Sequence, residues 1–180
     1  MKIYTRTGDS GETGLLGAGR VRKNVARVEA YGGVDELNAS LGAVCAVLTD
    51  SELLDLLASI QRDLFAVGAR LADVRKDKAR DVEKAAIPPQ RVSDLERAID
   101  RFEEELPPLK HFILPGGCET GARLHLARAV CRRAERGIVA LAAEEKIPAV
   151  LLAYVNRLSD LLFVLARLVN RRAGAEEIAW

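Results

Sequence analysis

The sequence predicts an all-α domain: a bundle of five helices with an ordered, glycine-rich N-terminal arm. Hydrophobic residues make up 49% of the 180 residues but aromatic residues only 4%, so the core must consist mainly of Leu, Val and Ala, which favour or tolerate helix. Apolar residues recur at intervals of three and four along most of the chain, which is the helical period. This length suits one domain, which we predict over residues 1–180, with the arm at 1–23 and the bundle at 24–180.

Composition argues against several partners and compartments. The 27 basic and 26 acidic residues give a formal net charge of +1, so no overall field draws the chain to nucleic acid or to an anionic membrane. The three cysteines are odd in number and show no CxxC spacing, which argues against a disulfide framework and a structural zinc site. No apolar signal segment opens the chain and its unbroken apolar runs are short, so we expect a soluble cytoplasmic protein.

The stretch from Thr5 to Lys23 combines five glycines, four hydroxyl side chains and four cations, with no helical apolar period. Glycine lets backbone N–H groups approach an anion, and Arg and Lys add charged donors, so this predicted loop suits phosphate. It matches neither the Walker phosphate loop nor the dinucleotide fingerprint. Taken alone, a flexible polar terminus explains it at least as well.

The first two helices follow this arm. Helix one is predicted over 24–48, and the Gly-Gly pair at 32–33 indicates a close packing partner or a ligand at that turn. Asp50 is expected to cap helix two, which runs to about Asp73. The charged segment from Val74 to Pro89 has no apolar face and is predicted to be a connection.

The remaining helices are predicted at 90–106, 120–145 and 149–172. Pro107 and the proline after it stop helix three. The loop at 109–117 is unusually apolar, and we expect its Phe112 and Ile113 either to pack inward or to line a pocket. Helices four and five are long enough to run the length of the bundle.

Helix four carries a polar stripe beside its apolar one. The stripe consists of residues three or four apart: His125, Arg128, Arg132 and Glu135. With Arg133 and Arg136 nearby, several guanidinium groups lie within little more than two turns, which suits a polyphosphate. A solvated face with Arg–Glu pairs explains the charge equally well.

Polar residues also interrupt the apolar faces of helices five and one. Asn156 and Asp160 lie one turn apart in an apolar run, and buried amides and carboxylates usually make specific hydrogen bonds. Asp35 and Asn38 share one face of helix one. We expect an arginine of helix four to face Asp35, since each would neutralise the other. Only two histidines occur, so a metal centre is poorly supported.

Five blocks, in order, carry a more specific resemblance: TRTGDSGETGLLGAGRVRK, RVEAYGGVDELNASLG, FILPGG, RAVCRRAER and NRLSDLLFVLAR. Together they closely resemble the PduO-type ATP:cob(I)alamin adenosyltransferases. The resemblance implies a five-helix bundle that assembles as a homotrimer, with active sites between neighbouring subunits. It implies transfer of the 5′-deoxyadenosyl group of ATP to the cobalt of cob(I)alamin, by in-line attack of Co(I) on the ATP 5′-carbon, giving adenosylcobalamin and triphosphate.

The resemblance also implies the roles of individual residues. Those similar to the family's ATP-binding residues are Thr5, Arg6, Thr7, Gly8, Asp9, Ser10, Gly11, Thr13, Gly14, Lys23, Arg132, Arg133, Glu135 and Asn156. Asp35 and Arg128 look like the family's buried ion pair, and with Phe112 they form the implied catalytic set. Phe112 is similar in position to the aromatic residue beneath the corrin, and Phe163 joins it as cobalamin-binding. Cys118 departs from the serine that many relatives have there.

The implied ligands are ATP and cobalamin as substrates, with Mg²⁺ held by the ATP phosphates and no metal site in the protein. A cob(II)alamin reductase is the implied partner, and an adenosylcobalamin-dependent acceptor enzyme is compatible with the product. A non-catalytic carrier of nucleotide or corrinoid is the alternative function. A purely structural bundle gives no reason for Asn156 or for the arginines of helix four.

Overall fold

The computed structural model describes residues 2–17, 19–74 and 86–180, and these form five α-helices and one two-stranded sheet. The helices are α1 (Ala26–Cys45), α2 (Ser51–Ala72), α3 (Gln90–Glu103), α4 (Glu119–Glu144) and α5 (Ala149–Arg172), and the strands are β1 (Glu12–Gly14) and β2 (Arg20–Arg22). The predicted all-α bundle is confirmed, with every helix within three residues of its predicted bounds. Most of the predicted connection from Val74 to Pro89 lies outside the described residues.

The bundle is organised around α4 and α5. α4 packs against α1 on one side and α5 on the other, while α2 packs on α1 and α3 on α5. Most of α5 from Leu151 to Asn170 is buried, and its Leu and Val side chains form the middle of the core. By length and composition this helix is also apolar enough to cross a membrane, and more than half of that stretch is buried in the bundle.

The Gly-Gly pair of α1 allows close packing at one of its two positions. A Cβ on Gly33 would lie 3.3 Å from Cα of Ala134 in α4, whereas Gly32 faces open space. One turn away, a Cβ on Gly137 would lie 3.6 Å from Cα of Ala30. The predicted packing partner is therefore confirmed for Gly33, and it is α4.

Local signals set the helix ends. The Asp50 carboxylate accepts hydrogen bonds from the N–H groups of Glu52 and Leu53, at 3.0 and 3.2 Å, which confirms it as the cap of α2. α3 ends at Glu103, earlier than its apolar period indicates. Proline disfavours helical geometry in the residue before it, so Pro107 limits the last predicted turn.

The N-terminal arm is a hairpin rather than a loop throughout, so the loop prediction is wrong over β1 and β2. The strands pair antiparallel, with Glu12 opposite Arg22 and Gly14 opposite Arg20. Beyond β1, the Leu16 carbonyl accepts a hydrogen bond from the Val74 N–H at 3.0 Å, just after α2. This contact ties the arm to one end of the bundle.

The apolar loop at 109–117 pairs with the C-terminal tail. The Leu114 N–H donates to the Ile178 carbonyl, and the Trp180 N–H donates to the Phe112 carbonyl, both at 2.8 Å. The rings of Phe112 and Trp180 meet edge to face with centroids 6.5 Å apart. Of the two predicted alternatives, Phe112 takes the second: it is exposed and lines a shallow pocket with its loop neighbours.

Candidate functional site

Glu135 of α4 and Asn156 of α5 contact each other at the surface. The Asn156 amide donates a hydrogen bond to the Glu135 carboxylate at 2.8 Å. The burial expected for Asn156 and Asp160 is wrong, because both are exposed, and the Asp160 carboxylate pairs with Arg157 at 2.8 Å. The polar residue buried in this turn is Ser159. The Glu135–Asn156 pair is therefore open to a ligand.

The arginines of α4 divide into two kinds. Arg133 forms a salt bridge with Glu36 of α1 and is thereby tied into the α1–α4 contact. Arg132 and Arg136 are exposed, and among the described residues neither forms an ion pair. The alternative, a solvated face with i,i+4 Arg–Glu pairs, therefore does not describe Arg133, whose partner lies on α1; an i,i+4 pair on α4 joins Arg123 to Glu119 instead. Arg132 keeps its donors available for an anion.

Further along α4, Arg128 and His125 face Phe163 of α5. The Arg128 guanidinium carbon lies 5.9 Å from the Phe163 ring centroid, and the His125 ring meets it edge-on at 6.0 Å. Arg128 Nε and both His125 ring nitrogens are buried without a hydrogen-bond partner in the described part of the chain. Burial, with the nearby charge of Arg128, lowers the pKa of His125, and Glu177 acts in the opposite direction. The ring is therefore neutral at pH 7.

Asp35 lies on the side of α1 that faces α2. It is exposed and lines a groove of about 420 Å³ with Tyr31 and Phe65. The expectation that an arginine of helix four faces Asp35 is therefore wrong within one chain. Consecutive helical residues point about 100° apart, so when Glu36 turns to Arg133 of α4, Asp35 turns away.

The arm brings its predicted phosphate-binding residues together. A Cβ on Gly8 would lie 3.3 Å from Lys23 Nζ, so the lysine head rests against this glycine. The Lys23 N–H donates to the Gly11 carbonyl at 2.9 Å, and the hydroxyls of Thr5 and Thr7 lie 2.9 Å apart. The other predicted members of this segment are Arg6, Asp9, Ser10, Thr13 and Gly14, which lie in its turns and first strand. We call residues 5–14 and Lys23 the phosphate arm.

The predicted site thus falls into separate parts within one chain. The phosphate arm is one part, and a second, the α4–α5 face, comprises Arg128, Arg132, Glu135, Asn156 and Phe163. Among the described residues, no hydrogen bond or ion pair joins these two, and Phe112, the third part, is 79% exposed. Asp35 lies in its own groove. In the described ranges, no group of three or more His, Cys, Asp or Glu side chains could hold a metal ion.

Sequence reasoning missed three buried polar residues that position these parts. Arg27 pairs with Glu145 and donates to the Leu71 carbonyl, joining the start of α1 to the ends of α4 and α2. Arg167 and Asn170 are buried near the end of α5. Asn170, like Asn156, is an amide within an apolar helical run, and this pattern in the sequence indicates it in the same way.

Fold and site together define a class: a helical bundle equipped for a phosphorylated ligand, with a glycine-rich cationic arm and an exposed arginine beside a Glu–Asn pair. The family model described as cobalamin adenosyltransferase matches residues 3–169. The chain belongs to the cobalamin adenosyltransferase family. The family and enzyme class predicted from the five sequence blocks are thereby confirmed.

Curated relatives agree along the whole chain. The corrinoid adenosyltransferase of Bacillus subtilis is 45% identical over 184 residues, covering 100% of this chain and 92% of the relative. The corrinoid adenosyltransferase PduO of Salmonella typhimurium is 47% identical over 167 residues, which cover 93% of this chain. The chain spans 49% of that longer relative's length.

Solved structures share the fold closely. An F112A variant PduO-type ATP:corrinoid adenosyltransferase from Lactobacillus reuteri, complexed with cobalamin and ATP, has a TM-score of 0.93 and 38% identity, with 99% of each chain covered. An R132K variant PduO-type adenosyltransferase from the same organism, complexed with ATP, has a TM-score of 0.91 at 38% identity and covers 99% of each chain.

Proposed function

We propose that the chain transfers the 5′-deoxyadenosyl group of ATP to the cobalt of cob(I)alamin, giving adenosylcobalamin and triphosphate, at a site shared between copies of the chain. One observation supports the shared site. Asp35 and Arg128, the implied ion pair, both lie in the described part of the chain and do not pair with each other there. Asp35 lies in the α1–α2 groove, and Arg128 lies on the α4–α5 face with a buried, unpartnered Nε. A second copy supplies each with the other.

The nucleotide would lie between the phosphate arm of one copy and the α4–α5 face of another. Lys23, the arm's N–H groups and its hydroxyls bind the phosphates, and Arg132 adds charge-assisted donors. The Glu135–Asn156 pair completes the nucleotide pocket, while Glu36 holds Arg133 at the α1–α4 contact. Mg²⁺ enters with ATP, bound to the phosphates.

The chemistry demands positioning and charge neutralisation. Cob(I)alamin is a strong nucleophile, so the cobalt must be held in line with the ATP 5′-carbon while the triphosphate leaves. The triphosphate gains charge as the C–O bond breaks, and Lys23, Arg132 and the arm's N–H groups stabilise that charge. No general acid or base is required, which fits a site without a catalytic histidine.

Phe112 would act on the reduction step. An apolar ring beneath the corrin expels the lower axial ligand and water, leaving four-coordinate Co(II), which accepts an electron more readily. Its exposure supports this role, because a ring that protrudes from its own chain is free to contact a ligand. Phe163, beside Arg128, is proposed as a second corrin contact.

The assembly we propose is a closed ring. Contact between the α1–α2 groove of one copy and the α4–α5 face of the next joins two different surfaces, and such heterologous contacts close into rings. A homotrimer is the ring that the sequence resemblance implies. We place the enzyme in the cytoplasm, supplied with electrons by a cob(II)alamin reductase and able to pass its product to an acceptor enzyme.

Co-expression of two variants tests the shared site. Asp35→Asn and Arg128→Ala should each be nearly inactive alone. Random mixing in a ring leaves both native residues at about a quarter of the sites, so mixed assemblies should regain about a quarter of the native activity. Each variant expressed alone is the matched control, whatever assembly it forms. Mixed assemblies as inactive as these controls would exclude pairing across copies.

The activity is tested by anaerobic incubation with chemically reduced cobalamin and MgATP. We expect a light-sensitive Co–C product and free triphosphate in equal amounts. Binding of both substrates without product would instead identify a non-catalytic carrier.

A further inference from the structure

Asn170, near the end of α5, uses its whole side-chain amide to hold the loop that follows Phe112. It is 2% exposed. Its Nδ2 donates to the Gly116 carbonyl at 2.9 Å, and its Oδ1 accepts from the Cys118 N–H at 3.0 Å. Both hydrogen bonds reach backbone groups of a connection without regular structure, so they set its path directly.

Two glycines make room for this amide. A Cβ on Gly117 would lie 2.3 Å from the Asn170 side chain, and a Cβ on Gly121 would lie 2.0 Å from its Oδ1. Both distances are far below any contact that carbon makes with nitrogen or oxygen. Gly117 also has φ of +101°, which side chains other than hydrogen rarely adopt. Gly117, Gly121 and Asn170 therefore form one interlocking unit.

One turn earlier, Arg167 holds the C-terminal tail. The residue is 4% exposed, and its guanidinium group makes two hydrogen bonds to the Glu177 carboxylate, at 2.7 and 3.1 Å. It also donates to the Pro107 carbonyl at 3.0 Å. The tail in turn pairs with the backbone of Phe112 and Leu114. The last turns of α5 thus hold both segments that flank the Phe112 ring.

We propose that Asn170 and Arg167 are positioning residues for Phe112, and that the end of α5 clamps the Phe112 loop in the orientation that reduction of cobalamin requires. The inference rests on the proposed role of Phe112 against the corrin. Phe112 is exposed and lies outside the hydrophobic core formed by the described residues, so its orientation depends on its own loop and on the tail whose Trp180 meets its ring, the two segments that Asn170 and Arg167 hold.

Trp180 offers a probe that needs no substrate. It is the only tryptophan, and its ring contacts Phe112. In Asn170→Ala the fluorescence anisotropy of Trp180 should fall, because the loop and tail move more freely on the nanosecond timescale. Tyr154→Phe is the matched control, since it removes a partly buried hydrogen bond from the second turn of α5, at the opposite end of the helix from Asn170. Equal anisotropy in native protein and Asn170→Ala would overturn the clamp.

Kinetics separate positioning from stability. Asn170→Ala should lower the rate from cob(II)alamin plus reductant by about tenfold, while the rate from preformed cob(I)alamin and the Kd for ATP stay within about twofold. The spectrum of four-coordinate Co(II) should weaken in parallel. Tyr154→Phe should leave the ratio of the two rates unchanged. Equal loss on both routes in Asn170→Ala would show a general structural role and overturn the proposal.

A double variant distinguishes the hydrogen bonds from the filling of space. Gly121→Ala alone should be destabilised by overlap with Asn170, whereas Gly121→Ala with Asn170→Ala should unfold at a higher temperature than Gly121→Ala. The cob(II)alamin rate should stay low in the double variant, because no amide binds Gly116 and Cys118. A restored rate would overturn the clamp.

Two further variants complete the design. If Asn170→Ala does not fold, Glu177→Gln serves instead, because it weakens the hydrogen bonds by which Arg167 holds the tail. This variant should lower both the Trp180 anisotropy and the cob(II)alamin rate. No change in either would overturn the proposal. Phe112→Ala, assayed alongside, tests the proposed function separately. If it leaves the cob(II)alamin rate unaltered, the role of Phe112 fails; if it lowers the rate and Asn170→Ala does not, the clamp alone fails.

Discussion

Phe112→Ala should separate the reduction step from folding and from ATP binding. The side chain is 79% exposed, so only about a fifth of it is removed from water by its own chain. Truncating a fully buried Phe costs about 3–5 kcal/mol, and scaling by the buried fraction gives about 1 kcal/mol or less. For a domain of this size that corresponds to a fall in Tm of about 4 °C at most.

The catalytic effect should be far larger than this structural one. Without the ring beneath the corrin, water or the lower ligand returns to cobalt, and the rate from cob(II)alamin plus reductant should fall by about tenfold or more. The rate from preformed cob(I)alamin should fall less, because attack on the 5′-carbon does not need the lower face emptied first. ATP affinity, measured by calorimetry, should stay within about twofold, since the contacts of Phe112 in the described part of the chain are with Trp180 rather than with the phosphate arm or the α4–α5 face.

Leu109→Ala is the matched control, because it removes another exposed apolar side chain from the same loop. It should leave both rates close to native values. If Phe112→Ala keeps the native cob(II)alamin rate, or loses the same factor on both routes, the ring has no specific role in reduction.

Three other predictions follow from the site. Arg128→Ala should leave Asp35 of the neighbouring copy without its partner and cost about 3–5 kcal/mol at each contact, so light scattering should show smaller assemblies. Adding Asp35→Asn should restore assembly. Full activity in that double variant would show that the pair is purely structural. Deleting residues 1–22 should abolish ATP binding and preserve the helical circular-dichroism spectrum, and normal ATP affinity would refute the phosphate arm. Burial lowers the pKa of His125, so the unfolded chain binds more protons at this residue than the folded one, and the free energy of unfolding decreases as the pH falls below the pKa that His125 has in the unfolded chain. His125→Phe should therefore show a smaller decrease in urea midpoint from pH 7.5 to 5 than the native protein. An equal decrease in both proteins would refute a neutral buried ring.

Much of the fold could be predicted because its signals are local. The helical period, the Asp50 cap and the prolines after α3 act within a few residues, and the structure follows each of them. The two strands of the arm could not be predicted in this way, because short strands depend on pairing between residues that are not neighbours in the sequence. β1 and β2 form only when Glu12 meets Arg22 across the turn.

Two residues of the candidate site, each indicated by the pattern of its own helix, meet in the structure. Asn156 is an amide within an apolar run of α5, and it contacts Glu135 of α4. Its exposure was not predictable, because a helix in a bundle presents some polar residues at the margin of its apolar face. For the same reason, the sequence could not predict which neighbouring helix the Asp35 side chain faces. A difference of one residue along α1 decides whether a carboxylate faces α4 or α2.

The sequence by itself determined the helices, their order and the family, and it indicated the residues proposed to bind phosphate, because each of these inferences depends on residue type and spacing. Only the tertiary structure decided which of those residues meet. Packing of α1 against α4 pairs Arg133 with Glu36 and leaves Asp35 and Arg128 apart within one chain, which is the basis for proposing a site shared between copies. It also revealed Asn170 between Gly117 and Gly121, since residues about fifty positions apart come together only when α4 and α5 pack.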